Sequence, residues 1–258
     1  MAVVIDRADG LTSVAMELPQ EGDPSFTFAF QPIMDAQTRE VFSYEALIRG
    51  PGNEPAHSIL EQVPAYRQHA FDRRARIEAI FLAARLGIGC HLNLNTLPQS
   101  VCSSASTILS TLDAANRASI PVERMIIEIT EGEVIEDQSR FSRIVNEFRG
   151  LGLKVAIDDF GAGYSGLNLL ADFQPDQIKI DMKLVRGINR NGPRQAIVRA
   201  IRQACFDLGI DVIAEGVETV DEFGWLVEEG VQLFQGYLFA KPALESLPEI
   251  LYPGHCLK

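Results

Sequence analysis

The chain has 258 residues, 23 Lys and Arg against 35 Asp and Glu, and a formal charge of −12. Apolar residues make up 47%, which excludes a mostly disordered chain. The acid excess argues against a nucleic-acid coat or a polybasic membrane binder, because both need clustered cations.

The length allows one large domain or two small ones, and α/β barrels often reach this size as one domain. Residues 1–25 are polar and aperiodic and read as a lead-in, with the folded domain expected over 26–258. The start, MAVVIDRADG, lacks the basic and apolar regions of a secretory signal. No apolar run approaches the roughly 20 residues of a membrane span. Cys90, Cys102, Cys205 and Cys256 form no CxxC pair and read as thiols in a reducing compartment. A cytoplasmic protein without membrane contact is expected.

Short β-type runs follow in order: FTFAFQPI (26–33), VFSYEALIR (41–49), CHLNLN (90–95), RMIIEIT (124–130), KVAIDD (154–159), QIKID (177–181), DVIAEG (211–216) and LFQGYLF (233–239). Helical patterns lie between most of them, at 70–87, 139–152, 192–209 and 219–230. Gly87, Gly152, Gly209 and Gly230 stand at their C-terminal ends, where helices commonly close on glycine. Alternating strands and helices predict a mainly parallel sheet, and eight strands suit a modified (β/α)8 TIM-type barrel. The first two runs are joined by MDAQTRE, too short for a helical crossover. This predicts a hairpin, and so one antiparallel strand in the barrel.

In such barrels the chemistry sits at the C-terminal ends of the strands. Those ends carry Glu45, Asn95, Glu128, Asp158 with Asp159, Lys179, Glu215 and Gln235. Each has an ordinary explanation alone: a strand-end acid, a turn former, a helix cap. Together they converge on one mouth, where uncompensated carboxylates repel. Carboxylates and an amide are the donors of hard divalent cations such as Mg²⁺ or Mn²⁺. The Asp158–Asp159 pair precedes FGAGYSG, where the strand gives way to a loop, so both carboxylates are expected to face one cluster and one to bridge two ions. Paired metals are a recurrent device for cleaving phosphate esters.

Seven motifs carry a family resemblance: QPI at Gln31–Ile33, EALIR at Glu45–Arg49, EITE at Glu128–Glu131, DDFGAGYSGL at Asp158–Leu167, KID at Lys179–Asp181, EGVET at Glu215–Thr219, and QGYLFAKP at Gln235–Pro242. The chain resembles the EAL family of cyclic di-GMP phosphodiesterases from about Phe28 to Pro242. The resemblance implies a barrel with one antiparallel strand and metal-dependent hydrolysis of cyclic di-GMP to linear pGpG with two Mg²⁺ or Mn²⁺ ions. It implies Glu45, Asn95, Glu128 and Asp158 as ligands of one metal, and Asp158 and Asp159 as ligands of the other, with Glu215 close to it. Lys179 is implied to orient or help deprotonate the attacking water, with Asp159 and Glu215 sharing the catalytic work. Gln31, Leu47, Arg49, Gln235 and Pro242 are implied as substrate contacts, and Glu131 as the acid that steadies the loop after Asp159.

Two departures stand out. HLNLNTLP offers Asn93 or Asn95 as the amide ligand; the spacing to Pro98 selects Asn95, although both share a strand face. Ala162 replaces the Thr usual in DDFGTGYS. Some relatives of this type lose catalysis and act as cyclic di-GMP receptors or protein-interaction modules, and this is the main alternative. A metal-dependent aldolase fits the carboxylates alone. The resemblance further implies a homodimer, with Leu167, Leu169, Leu170 and Phe173 as interface candidates, and leaves room for a regulatory partner in trans.

Overall fold

The computed structural model describes residues 22–97, 106–131, 138–162, 169–171 and 173–253. Strands β1 (Thr27–Asp35) and β2 (Val41–Arg49) form the expected hairpin, antiparallel from Thr27↔Arg49 to Met34↔Val41. Its turn is built by Asp35, whose Oδ1 accepts the N–H groups of Gln37 and Thr38 at 2.7 and 3.2 Å. Such local side-chain bonding is why Asp starts turns.

Strands β3 (His91–Thr96), β4 (Met125–Thr130), β5 (Lys154–Phe160), β6 (Gln177–Ile180), β7 (Asp211–Ala214) and β8 (Leu233–Gln235) follow, parallel to β2 and to one another. β8 then pairs antiparallel with β1, at Ile33↔Gln235, and closes an eight-stranded barrel. β1 therefore runs against both of its neighbours. A short β9 (Ala243–Leu244), outside the expected series, pairs with β1 at Ala29 and Phe30.

The helices α2 (Gln68–Arg85), α4 (Gln138–Gly150), α6 (Gly192–Leu208) and α7 (Val220–Glu228) fall within two residues of the expected patterns. The structure adds α1 (Ala56–Leu60), α3 (Ser106–Arg117) and α5 (Met182–Val185). Gly87, Gly152, Gly209 and Gly230 all have positive φ, between 71° and 89°, a conformation that favours glycine after a helix. The run LFQGYLF does not continue as one strand. β8 stops at Gln235, whose carbonyl accepts the Val217 N–H at 3.1 Å, and Gly236 lies against the Val217 backbone with no room for a Cβ.

Outward strand side chains such as Leu92, Leu94, Ile127, Val155 and Ile178 bury against Ile77, Ile80, Val145 and Val198 of the helices in one continuous core. Inside the barrel, Ile33, Ile213 and Leu233 form a small apolar plug at the floor. The other end of the interior is polar. Leu169, Leu170 and Phe173, named as interface candidates, are buried in this chain's own core; Leu167 lies outside the described residues. Asp23, within the expected lead-in, forms ion pairs with Arg67 and Arg74 at 2.7 and 2.6 Å. Among the described residues, no helix is long and apolar enough to cross a membrane.

Candidate active site

Strand alternation places every second side chain inside the barrel. On β3 that puts Leu92, Leu94 and Thr96 outside and Asn93 and Asn95 within. The same rule turns Glu45 of β2, Glu128 of β4, Asp158 of β5, Lys179 of β6 and Gln235 of β8 inward, with Glu215 just past β7. The structure brings these residues together. Lys179 Nζ lies 3.2 Å from Glu45, 3.0 Å from Glu128, 3.0 Å from Asp158 and 2.8 Å from Glu215. Gln235 Nε2 donates to Glu45 Oε2 at 2.7 Å, and Asn95 Nδ2 to Glu45 Oε1 at 2.9 Å.

Both asparagines belong to the ring. Asn93 is fully buried and donates to Glu128 Oε1 at 2.7 Å, while Asn95 is exposed at the mouth, one layer above. The backbone register pairs Asn93 with Glu45 and Asn95 with Glu128.

The carboxylates perturb one another strongly. Burial works against the Lys179 charge, but Asp158, Glu128, Glu215 and Glu45 outweigh it and hold the ammonium well above the usual lysine range. Burial, with the neighbouring Glu45 and Asp158 charges, pushes Glu128 well above the carboxylate range despite Lys179. Glu215 is pushed up to about 8 by burial and by Asp158 and Glu45, again against the pull of Lys179. Glu45 is held low: burial raises it, but Lys179, Gln235 and Asn95 more than compensate.

Asp158 and Asp159 occupy a break in the β5–β6 register between Ile157 and Phe160. Asp159 has φ +54°, an uncommon conformation for a residue with a Cβ. The kink lets consecutive side chains share one side of the mouth. Glu45, Glu128 and Asp158 form one group whose oxygens lie within 4.8 Å of one another, and Asp158, Asp159 and Glu215 form a second. Burial and the charges of Asp158 and Asp181 raise Asp159 to about 6. Asp181 is the residue that the strand-end reading passed over. It sits inside the KID motif, contacts Asp159 and caps α5 by accepting the Lys183 N–H at 2.7 Å.

The donor set fits a hard divalent cation. It is all oxygen, and one of its buried oxygens, Glu128 Oε2, has no hydrogen-bond partner. Buried polar atoms are normally satisfied, and a cation would satisfy this one.

Glu131 Oε2 accepts the Gly161 N–H at 2.8 Å, tying the end of β4 to the loop after Asp159. Arg49 and Leu47 line a cavity of about 530 Å³ that reaches Glu45, Asn95 and Asp158 and is walled by Leu60, Val63 and Phe71. Arg49 Nη1 donates to its neighbour's carbonyl at Ile48, 2.7 Å away. Gln31 is the register partner of Glu45, but its amide donates to the Ala240 carbonyl at 3.2 Å. Pro242 is half-buried just ahead of β9.

Comparison with known proteins places the chain among relatives. The sequence model described as the EAL domain matches residues 17–242. A standalone versatile EAL protein from Vibrio cholerae, solved in a c-di-GMP-bound form, is 47% identical and superposes with a TM-score of 0.85 over 89% of this chain and 97% of its own. Klebsiella pneumoniae BlrP1, solved with manganese and cyclic di-GMP, is 41% identical with a TM-score of 0.84, over 90% of this chain and 59% of its own. Among curated proteins, the Escherichia coli blue light- and temperature-regulated antirepressor BluF is 36% identical over 88% of this chain and 56% of its own length. The E. coli cyclic di-GMP phosphodiesterase PdeR is 43% identical over 45% of this chain and 18% of its own. The chain thus spans about half the length of BluF and much less of PdeR.

Proposed function

The chain belongs to the EAL domain family, and on that footing we propose that it hydrolyses cyclic di-GMP to linear pGpG by a reaction dependent on divalent metal, Mg²⁺ or Mn²⁺. The observation that carries the reading is the ring at the mouth, four carboxylates within 3.2 Å of one buried lysine. In this proposal Glu45, Asn95, Glu128 and Asp158 hold one cation, and Asp158, Asp159 and Glu215 a second. Bound there, the ions would supply Lewis acidity at the phosphoryl oxygens and a water of lowered pKa.

The chain's own residues do the rest. Lys179, kept protonated by its neighbours, donates to and orients the attacking water rather than taking its proton. Asp159, on the same side of the mouth as Asp158, shares the handling of the water's proton. Arg49, lining the cavity beside the ring, offsets phosphoryl charge by a charge-assisted bond. Gln235 holds Glu45 in place, and Gln31, Leu47 and Pro242 complete the substrate surface. Glu131 fixes the loop after Asp159 through Gly161.

A second reading, a receptor or interaction module, has its own support: BluF is named an antirepressor, and BlrP1 has also been solved with cyclic diGMP and no metal ions. One experiment separates the two. Purified chain is incubated with cyclic di-GMP and Mn²⁺ or Mg²⁺, and the nucleotides are resolved by anion exchange. Linear product, abolished in folded Glu45→Ala, supports hydrolysis; tight binding without product replaces it by the receptor reading. A homodimer and a regulatory partner in trans belong to the same proposal, and sedimentation across a concentration series tests the dimer.

A further inference from the structure

We infer that Asp72 and Arg76, on the outer side of the barrel, act as positioning residues that set Asn95 for cation binding; the inference rests on reading the ring as a divalent-cation site. Asp72 and Arg76 are one helical turn apart on α2, which packs against β3. Asp72 Oδ2 accepts from Arg76 Nη1 at 2.8 Å and from the Thr96 hydroxyl at 3.1 Å, and Asp72 Oδ1 accepts the Leu97 N–H at 3.2 Å. Arg76 Nη1 donates to Thr96 Oγ1, and Arg76 Nε reaches Thr111 Oγ1 of α3 at 3.3 Å. The Thr96 hydroxyl is thus gripped on both its donor and its acceptor side.

These bonds hold the backbone immediately after Asn95. β3 ends at Thr96, so the strand ladder no longer fixes Leu97, and Asp72 takes over its N–H. Thr96 points outward to the clamp and Asn95 inward to Glu45, so the two sides of the strand end are fixed together. The ion pair is buried, with side chains 2% and 10% exposed. A buried pair contributes little net stability compared with apolar residues of the same shape, so helix–barrel packing alone does not account for it. Partners behind a ligand commonly orient it and tune its affinity.

The test is titration of Mn²⁺ into the metal-stripped full chain without nucleotide, read by calorimetry, with folding checked by circular dichroism. Thr96→Val, which removes the hydroxyl but little volume, is expected to weaken Mn²⁺ binding roughly tenfold, the lower end of the effect of losing such a partner. Asp72→Asn is expected to follow it, and Thr96→Ser, which restores the hydroxyl, to keep wild-type affinity. Thr96→Val binding Mn²⁺ as wild type does, or Thr96→Ser falling as far as Thr96→Val, overturns the clamp. If Asp72→Asn does not fold, the two Thr96 variants decide alone. A wild-type chain that takes up no Mn²⁺ instead refutes the cation reading of the ring, a result separable from failure of the clamp.

Discussion

Asp158 and Asp159 are consecutive, yet both carboxylates reach the same side of the barrel mouth, because Asp159 adopts φ +54° at a break in the sheet register. An unbroken strand would send one of them into the helical layer. The left-handed region is tolerated by Asn and Asp but disfavoured by about 1–2 kcal/mol for other residues with a Cβ. Asp159→Asn is therefore expected to keep the urea unfolding midpoint and lose one of the two proposed cations in a Mn²⁺ titration. Asp159→Val is expected to lower stability by about 1–2 kcal/mol as well.

Lys179 neutralises part of a cluster that would otherwise repel itself. Replacing it with Met leaves Glu45, Glu128, Asp158 and Glu215 without their shared partner. Breaking a buried ion pair on one side costs roughly 3–5 kcal/mol. Lys179→Met is expected to show a large fall in Tm without metal and a larger rise in Tm on adding Mn²⁺ than the wild type shows. Thermal scans at several Mn²⁺ concentrations measure both. Equal metal responses in the two proteins would show that Lys179 does not balance the ring.

Glu222 controls a different part of the mouth. Its Oε1 accepts the Gly187 N–H at 2.7 Å, and its Oε2 accepts those of Glu218 and Thr219 at 3.1 and 3.0 Å. It thereby joins the loop after β6 to the loop after β7, which carries Glu215. Burial raises its pKa, but these backbone donors and Thr219 prevail, and the net shift is downward. A depressed folded pKa means that the stabilisation is full above the unfolded value, near 4.5, and is lost as pH falls through the lower folded value. The Tm gap between wild type and Glu222→Gln is expected to be constant above about pH 5.5 and to shrink on further acidification. A gap that widens in acid would contradict this.

Gly236 meets the backbone of Val217, so a methyl there has nowhere to go. Gly236→Ala is expected to destabilise the fold by more than about 3 kcal/mol, beyond ordinary overpacking because main chain has to move. It would also pull Gln235 off Glu45. Chemical denaturation gives the first effect, and loss of cyclic di-GMP affinity in whatever fraction still folds gives the second.

The barrel and its ring were legible because both follow simple periodicities. Strand-end polar residues recur on successive β/α units, and a seven-residue link permits a hairpin but no helix. What escaped lies where contacts join distant segments. Asp72 and Arg76 read as an ordinary i, i+4 pair on a helix, since nothing local shows that Thr96 and Leu97 arrive beside them. β9 is two residues long, too short to show alternation. The end of β8 depends on Val217, almost twenty residues upstream of Gly236. Glu222 was readable: Thr219 and Glu222 have the spacing of a capping box, which the structure contains. Spacing to Pro98 selects Asn95 over Asn93, but spacing does not show that both enter the ring, Asn93 on Glu128 and Asn95 on Glu45, at different depths.

The reversed direction of β1 sets where the chain is tethered. In a barrel of uniformly parallel strands the first strand would start at the floor. Here Thr27 pairs with Arg49, and Asp23 is anchored to Arg67 and Arg74 just ahead of it. The described residues just ahead of Phe26 are therefore held at the rim that carries Arg49 and the ring. A displacement of Asp23 would be felt first at Arg49 and along the strand bearing Glu45, while the apolar plug at the opposite end stayed undisturbed.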